Sequence, residues 1–337
     1  MGQAQALRTM CDMADASRPC CGARRASGPA AAASTIEMPT DPDAAARVHR
    51  RLVSLPGGPF RMGSEDDDVN LDDAEGPVRD AAVDAFAIAP TTVTNAEFAA
   101  FVKRTGYVTA AERFGWSFVF APFVLANAST RGAVAEAPWW MAVDGADWRH
   151  PEGPGSGVNN RANHPVVHVS HDDALAYCAW SGTRLPTEPE WEYAARGGLD
   201  GARYPWGDDL HPRDRHMCNI WQGEFPTHNT GDDGHVGTAP VRSFKPNGYG
   251  LYNTSGNVWE WTADPWEPGV GAGGIGAADG DGVGAAADVD GDGVWAMRGG
   301  SYLCHHSYCN RYRVAARTQN TGDSSGGNLG FRIAADA

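Results

Sequence analysis

The sequence has few cysteines, no long apolar run and a shortage of basic side chains, and each absence excludes a class of protein. Seven cysteines in 337 residues are an odd, unevenly spaced set, which excludes a secreted scaffold built on disulfides. No stretch approaches the roughly 20 apolar residues of a membrane span. The N-terminal residues also lack the apolar core of a signal peptide. We therefore expect a soluble, cytoplasmic protein that does not associate with membranes.

The charge balance excludes a further class of partner. Acidic side chains outnumber basic ones by 42 to 27, for a formal net charge of −15. Such a surface repels phosphate backbones, so a nucleic-acid partner is not expected. A cationic peptide or a calcium ion matches this charge better.

Glycine and proline are abundant, at 42 and 22 residues, well above average usage. This composition indicates loops, turns and short regular elements. A set of 12 Trp, 11 Phe and 9 Tyr residues supplies material for a packed core.

Composition changes along the chain suggest its boundaries. Residues 1–48 are rich in Ala, Arg and Ser and are predicted to be a disordered tail. Cys20 and Cys21 lie in this tail, and we interpret them as exposed thiols without function. Residues 49–337 are predicted to form one domain, in which the Gly-, Ala- and Asp-rich residues 268–294 are a flexible insertion.

Three segments carry signals for both ends of a helix. Each has a hydroxyl side chain at the N-cap, an acidic residue three positions later and a glycine at the end. The predicted helices begin after Thr94, Ser170 and Thr187 and end before Gly106, Gly182 and Gly197. Two strands are predicted on either side of the turn in "RLVSLPGGPFRMG".

The segment "GGSYLCHHSYC" contains two cysteines, Cys304 and Cys309. A zinc site needs three or four ligands, and adjacent histidines on an extended segment, here His305 and His306, point to opposite sides. A structural disulfide has little use in a reducing compartment. A single nucleophilic thiol would leave the second cysteine unexplained.

Two thiolates suit Cu(I), which prefers sulfur ligands. The backbone must bend to bring them together, because five extended residues would separate the sulfurs by roughly 16 Å. From spacing alone, a redox disulfide and a copper site are equally supported.

The residues around this pair carry a family resemblance. The string "RGGSYLCHHSYCNRYRVAARTQNTGDSSGGNLGFRIA" resembles the C-terminal signature of formylglycine-generating enzymes, also called sulfatase-modifying factors. The similarity continues through "NGYGLYNTSGNVWEWTAD" and "HPVVHVSHDDALAYCAWSGTRLPTEPEWEYAARGG" and covers about residues 50–337. It implies a single irregular α+β domain of C-type-lectin-like fold with little regular secondary structure.

The resemblance also implies an activity. Such enzymes use O2 to convert the cysteine of a Cys-x-Pro-x-Arg segment in unfolded or nascent sulfatases into Cα-formylglycine. Cu(I) is the implied cofactor, with Cys304 and Cys309 as its ligands. A monomeric enzyme is expected.

Further site residues follow from the same resemblance. Ser301 and Tyr308 match residues that line the oxygen and substrate pocket. For these hydroxyls, contacts within the loop are the alternative. For the tryptophans of the groove, the alternative is core packing. The implied substrate-groove residues are Trp116, Ser117, Trp139, His305 and Asn328.

Two structural calcium sites are implied as well. Hard oxygen ligands from loops are the ones that calcium prefers. The first site would use Asn219, Asp233 and the carbonyls of Ile220 and His235, and the second Asn253, Glu260 and the carbonyls of Gly256 and Val258.

Two other functions compete with this one. Iron-dependent sulfoxide synthases share the fold, but their three-histidine iron site draws on a preceding helical domain, which we expect this chain to lack. A non-catalytic lectin-like module would have no reason to keep two cysteines in a reactive segment. His164, His168 and His171 are predicted to be structural.

Overall fold

The computed structural model describes residues 22–25, 38–267 and 293–337. Cys20, Cys21 and nearly all of the predicted insertion 268–294 lie outside the described residues. The helices of the described part are short. They are α1 Pro42–His49, α2 Asn95–Thr105, α3 Ala110–Phe114, α4 His171–Ser181 and α5 Glu188–Arg196, with a 3-10 turn at Ala121–Phe123.

The three helices predicted from capping signals are confirmed as α2, α4 and α5. Each begins with a reciprocal capping box and ends at a glycine in the left-handed conformation. Because these signals lie within one turn of the helix end, they act without tertiary contacts. The same signals, Thr109 with Glu112 and then Gly115, also bound α3, which sequence reasoning missed.

The predicted tail boundary at residue 48 is wrong, because α1 is ordered and packs on the domain. Asp41 caps α1 by accepting from the backbone N–H groups of Asp43 and Ala44, and Pro42 occupies the first turn. The Asp41 N–H donates to the Trp180 carbonyl at 2.8 Å, which attaches the helix to α4. The Asp-Pro pair is the start signal that the sequence reasoning overlooked.

The strands are equally short and belong to several small sheets. They are β1 Val53–Leu55, β2 Gly58–Met62, β3 Arg79–Val83, β4 Phe86–Ile88, β5 Trp116–Phe120, β6 Thr130–Val134, β7 Ala137–Asp144, β8 Gly223–Glu224, β9 His228–Asn229, β10 Trp259–Pro265, β11 Val294–Arg298, β12 Arg317–Thr321, β13 Leu329–Phe331 and β14 Ala334–Asp336. The two strands predicted around the Pro-Gly-Gly turn exist as β1 and β2. They pair with β4 and β3 rather than with each other.

Two sheets position the site. The four-stranded sheet has the order β12-β11-β10-β13, with β10 and β13 parallel and the other pairs antiparallel. The three-stranded sheet has the order β5-β7-β6 and is antiparallel. The segment that carries the two cysteines connects β11 to β12, so its ends are fixed by neighbouring paired strands.

The main core lies between the four-stranded sheet and helices α2 and α4. It includes Phe98, Phe101, Tyr177, Trp261 and Phe331, all of which are buried. Aromatic pairs in this core meet mainly edge to face, as the Phe98–Trp148 and Tyr177–Phe331 ring pairs do. No helix in the described ranges is long and apolar enough to cross a membrane.

Candidate active site

The segment between β11 and β12 brings its cysteines together through two successive turns. The Cys304 N–H donates to the Ser301 carbonyl at 2.9 Å, closing the first turn. The Tyr308 and Cys309 N–H groups both donate to the His305 carbonyl at 3.0 Å, closing the second. The bend that two converging sulfurs require is therefore present.

Cys304 and Cys309 line one pocket and are both buried. Cys304 is only 1% exposed, whereas Cys309 is 9% exposed. Aromatic and small polar residues complete the lining. The other lining residues are Trp139, Trp140, Phe225, Ser301, Leu303 and Tyr308.

Ser301 connects the first cysteine to Asn328, and all three are buried. The Ser301 N–H points at the Cys304 sulfur at 3.3 Å. The Asn328 amide donates to the Ser301 hydroxyl at 3.2 Å. An N–H aimed at sulfur favours the thiolate over the thiol. Two predicted site residues, Ser301 and Asn328, are thus connected to Cys304 by hydrogen bonds.

Tyr308 and Trp139 form part of an aromatic wall. The Tyr308 ring stacks on Phe225 with centroids 4.5 Å apart and meets Trp139 edge to face at 5.0 Å. Both predicted residues therefore face the pocket that contains the cysteines.

The adjacent histidines do not point to opposite sides as predicted. The rings of His305 and His306 lie 4.0 Å apart because the segment turns instead of extending. His305 is buried and its Nδ1 lies 2.7 Å from the Ser307 hydroxyl. Burial lowers the pKa of His305 to about 4, so the imidazole is neutral at pH 7.

The lining of the cysteine pocket does not include Ser117, which is buried in a separate set of polar contacts. Its hydroxyl is 2.8 Å from both His168 Nδ1 and the Ser325 hydroxyl. His168 Nε2 donates to the Pro151 carbonyl at 2.8 Å, and burial lowers the pKa of this histidine to about 4. A neutral His168 therefore presents Nδ1 as an acceptor and orients the Ser117 hydroxyl.

Trp116 lies beside Ser117 and contacts a segment that sequence reasoning assigned to the disordered tail. Residues 22–25 are ordered against it, and Gly22, Ala23 and Arg25 are buried. The Arg25 guanidinium lies 4.0 Å from the Trp116 ring centroid. The predicted tail thus contains a second ordered piece. Its sequence "GARR", two small residues followed by two basic ones, carries no local signal of this order.

His164, His168 and His171, which the sequence predicts to be structural, all have partners within the fold. His171 stacks on Trp295 at 4.0 Å and bonds to the Thr262 carbonyl at 3.0 Å. His164 Nδ1 lies 3.0 Å from the Thr238 hydroxyl. Over the described ranges, no group of three or more His, Cys, Asp or Glu side chains could hold a metal ion.

The residues of the first predicted calcium site lie close together. The Ile220 carbonyl and Asp233 Oδ2 both accept from the side-chain amide of Gln222, at 2.9 Å in the case of Asp233. The other Asp233 oxygen accepts from the His235 N–H at 2.8 Å. Asn219 donates to the Gly237 carbonyl at 2.9 Å. Two of the proposed ligand oxygens therefore converge on one point.

The second predicted calcium site contains a buried oxygen without a partner among the described residues. Asn253 Oδ1 is this atom, while its amide donates to the Val241 carbonyl at 3.1 Å. Gly256 and Val258 lie on the same short segment that leads into β10. Glu260 is buried in a pair with Arg332 at 2.8 Å and accepts from Trp191 Nε1 at 2.7 Å. Its carboxylate therefore has partners independent of any ion.

Comparison with known proteins places the chain in a family. Residues 38–337 match the family described as sulfatase-modifying factor enzyme 1-like domain. The chain belongs to this family. A formylglycine-generating enzyme of Thermomonospora curvata is 59% identical over 86% of the chain and 94% of its own length. One of Streptomyces coelicolor is 56% identical over 88% of the chain and 92% of its own length.

Solved structures support the fold assignment. PvdO from Pseudomonas aeruginosa superimposes with a TM-score of 0.59 at 27% identity, over 85% of this chain and 94% of its own. The predicted fold class, one irregular α+β domain of the C-type-lectin-like type found in formylglycine-generating enzymes, is confirmed. The family match begins at residue 38, which agrees with the corrected boundary of the ordered domain.

Proposed function

We propose that the chain converts the cysteine of a Cys-x-Pro-x-Arg segment in unfolded or nascent sulfatase polypeptides into Cα-formylglycine, with O2 as electron acceptor. The observation that carries the proposal is the pair of buried cysteines, Cys304 and Cys309, on one aromatic-walled pocket. The names of relatives at 59% and 56% identity support the substrate. Other relatives, 46% identical, are named inactive, so overall similarity alone does not decide activity.

We also propose that the pair holds Cu(I). Two sulfur donors fit a soft monovalent ion, and in the described part of the chain no third His, Cys, Asp or Glu joins them in a metal-binding group. A zinc site, which needs three or four ligands, fits less well. Bound copper would supply the activation of O2 beside the substrate thiol.

The protein side chains around the pair have separate tasks. The Ser301 N–H stabilises negative charge on the Cys304 sulfur, and Asn328 fixes the Ser301 hydroxyl. Tyr308, Trp139 and Phe225 exclude water from the pocket and offer flat apolar surface to a substrate proline. The substrate groove would run from this wall towards Trp116 and Ser117.

The two rival functions have less support. The described residues offer no three-histidine cluster for iron. A binding module would not require two buried cysteines on one pocket. We also propose that the protein works in the reducing cytoplasm, where Cys178 and Cys218 are expected to stay free thiols as they are in the structure.

The function is tested by mass spectrometry of a synthetic Cys-x-Pro-x-Arg peptide incubated with enzyme, Cu(I), air and a thiol reductant. O2 would take two electrons from the CH2–SH group and two from the reductant, leaving the aldehyde, sulfide and water. We expect the mass change of this conversion in the native peptide and none in a matched peptide with serine for cysteine. An unchanged cysteine peptide with copper-loaded enzyme would contradict the proposal.

Calcium is proposed as a structural ligand at the two loop sites. The converging oxygens of Ile220 and Asp233 support it, as does Asn253 Oδ1, which is buried and has no hydrogen-bond partner among the described residues. A fold with so many short elements gains rigidity when ions bind its loops.

Removing calcium is expected to lower the melting temperature, because a ligand bound only to the native state stabilises it by about 2.7 kcal/mol at a hundred times its Kd. Asp233→Ala should reduce the calcium-dependent rise in melting temperature. The matched control is Asp232→Ala at the exposed neighbouring carboxylate, which should leave the rise intact. Glu260→Ala is a poor test, since it also removes the buried ion-pair partner of Arg332. An equal calcium-dependent rise in melting temperature in the native protein, Asp233→Ala and Asp232→Ala would refute the first site.

A further inference from the structure

Residues 22–25 pack against Trp116, which the proposed function places in the substrate groove. Arg25 is 4% exposed although it lies near the start of the chain. Its backbone N–H donates to the Ser324 hydroxyl at 2.9 Å, and its Nε donates to the Asp323 carbonyl at 3.1 Å. The segment is therefore held by main-chain and side-chain bonds.

The Arg25 guanidinium occupies a formed cradle. It lies between the rings of Phe114 and Trp116, at 4.2 and 4.0 Å from their centroids. One terminal nitrogen donates to the Trp116 carbonyl at 2.8 Å and to the Ser325 hydroxyl at 3.1 Å. Two aromatic faces and several oxygen acceptors are the environment that an arginine side chain prefers.

Ala23 continues the contact towards the pocket of the cysteine pair. Its carbonyl accepts from the Asn320 amide at 3.1 Å. Its side chain belongs to the buried apolar cluster that includes Leu303, Tyr302 and Phe118 and against which Tyr308 packs. Gly22 packs closely against Asn320 and Leu329. A Cβ added to this glycine would lie 3.2 Å from the Asn320 amide nitrogen and 3.9 Å from the Leu329 side chain.

The cradle and the cysteine pocket share one loop. Ser324 and Ser325, which hold Arg25, lie four and three residues before Asn328, which holds Ser301. Ser325 also contacts Ser117. A peptide running along this loop would thus pass from the aromatic cradle towards the cysteine pair.

The local sequence resembles the proposed substrate. In "CGARR", residues 21–25, a cysteine stands four positions before the buried arginine, as in Cys-x-Pro-x-Arg, and alanine stands at the proline position. We propose that residues 22–25 act as an intramolecular pseudosubstrate, which occupies the substrate groove and must leave before a sulfatase segment binds. This inference rests on the proposed function.

Attachment to the same chain makes such a competitor effective. A tethered segment reaches an effective concentration in the millimolar range for short flexible connections. A substrate peptide would then bind with its intrinsic Kd divided by the fraction of molecules whose groove is empty. The segment therefore sets a threshold for substrate binding, because only a substrate of high affinity or high concentration displaces it.

The test compares the full-length protein with Arg25→Ala and Arg24→Ala. The probe is a fluorescent Cys-x-Pro-x-Arg peptide with serine for cysteine, so that binding is measured without turnover. Arg25→Ala should bind about tenfold more tightly than the native chain, the factor expected if nine tenths of the grooves are occupied. Arg24→Ala is the matched control, because it removes the same charge from a partly buried neighbour without emptying the cradle. Unchanged or weaker binding to Arg25→Ala would overturn the proposal.

Hydrogen exchange of the native protein gives a second measurement that does not depend on a stable variant. The Arg25 N–H, bonded to Ser324, should exchange slowly in the free protein and faster when the serine peptide is saturating. An unchanged exchange rate with the peptide bound would show that both fit at once and would refute competition. Failure of the proposed function is distinguishable, because it would appear as peptide binding without conversion of the cysteine form.

Discussion

Replacing either Cys304 or Cys309 by serine is expected to abolish tight Cu(I) binding and nearly all turnover, while the fold persists. Serine is nearly the same size but replaces a soft sulfur donor with a hard, protonated oxygen. The turns that shape the segment use backbone bonds to the Ser301 and His305 carbonyls, so they do not depend on the sulfurs. One remaining thiolate cannot hold the ion between two sulfurs.

The matched controls are Cys178→Ser and Cys218→Ser. Both cysteines are buried free thiols. Burial raises the pKa of Cys178 to about 12 and also raises that of Cys218, so both are protonated at pH 7 and are poor metal ligands. These variants should keep the Cu(I) affinity of the native protein.

Anaerobic Cu(I) titration against a competing chelator, combined with the peptide assay, separates copper from the redox-disulfide alternative. The disulfide alternative predicts turnover without metal that cycles with added thiol. Full activity of metal-free enzyme, or native Cu(I) affinity in both Cys304→Ser and Cys309→Ser, would end the copper proposal.

Replacing Glu192 by glutamine is expected to destabilise the protein by about 3–5 kcal/mol, the cost of breaking a buried ion pair. Glu192 is 1% exposed and contacts both Arg196, at 2.6 Å, and Arg298. Its Oε1 also accepts from the Gly63 N–H at 2.8 Å. The amide keeps the size but leaves two buried guanidinium groups with one fewer negative charge.

The ion pairs of Glu192 with Arg196 and Arg298 form an ion cluster. This cluster matters for the site because Arg298 is the last residue of β11. Its guanidinium also donates to the carbonyls of Ala315, at 3.2 Å, and Val314, at 3.1 Å, close to the start of β12. The ion cluster therefore holds both ends of the segment that carries the cysteines. We expect Glu192→Gln to lose part of its Cu(I) affinity as well as stability.

Denaturant and thermal unfolding measure the effect, with Asp144→Asn as the control. Asp144 pairs with Arg131 at 2.6 Å on the surface, where both side chains are more than a third exposed. Such a pair contributes about 0–1 kcal/mol. If Glu192→Gln and Asp144→Asn shift the unfolding midpoint equally, the ion cluster does not have the role assigned to it.

The pH dependence of unfolding provides an independent check on the cluster. Burial alone would raise the pKa of Glu192, but Arg298 and Arg196 outweigh it, so the pKa in the folded protein is lowered. A lowered pKa contributes stability above the unfolded-state value of about 4.3, and this contribution is lost as the pH falls further. Glu192→Gln should therefore show a smaller loss of stability between neutral and strongly acidic pH than the native protein.

Local signals in the sequence predicted the local structure well. The capping residues of α2, α4 and α5 determine where these helices begin and end, because their hydrogen bonds span only three or four residues. The same logic, applied more widely, would have found α1 and α3. The strand pairings were not predictable in this way, since β1 and β2 pair with strands that follow later.

The sequence by itself determined two features of this protein: the helix ends and the presence of two soft donors, Cys304 and Cys309, in one short segment. Only the tertiary structure decided that Arg25 lies against Ser325, 300 residues away along the chain. It also decided that Ser117 joins His168 and that Asn328 joins Ser301. The physical reason is the separation along the chain of the residues that interact. Capping bonds and ligand type depend on residues a few positions apart, whereas a groove forms only where distant segments pack and bury their polar groups against each other.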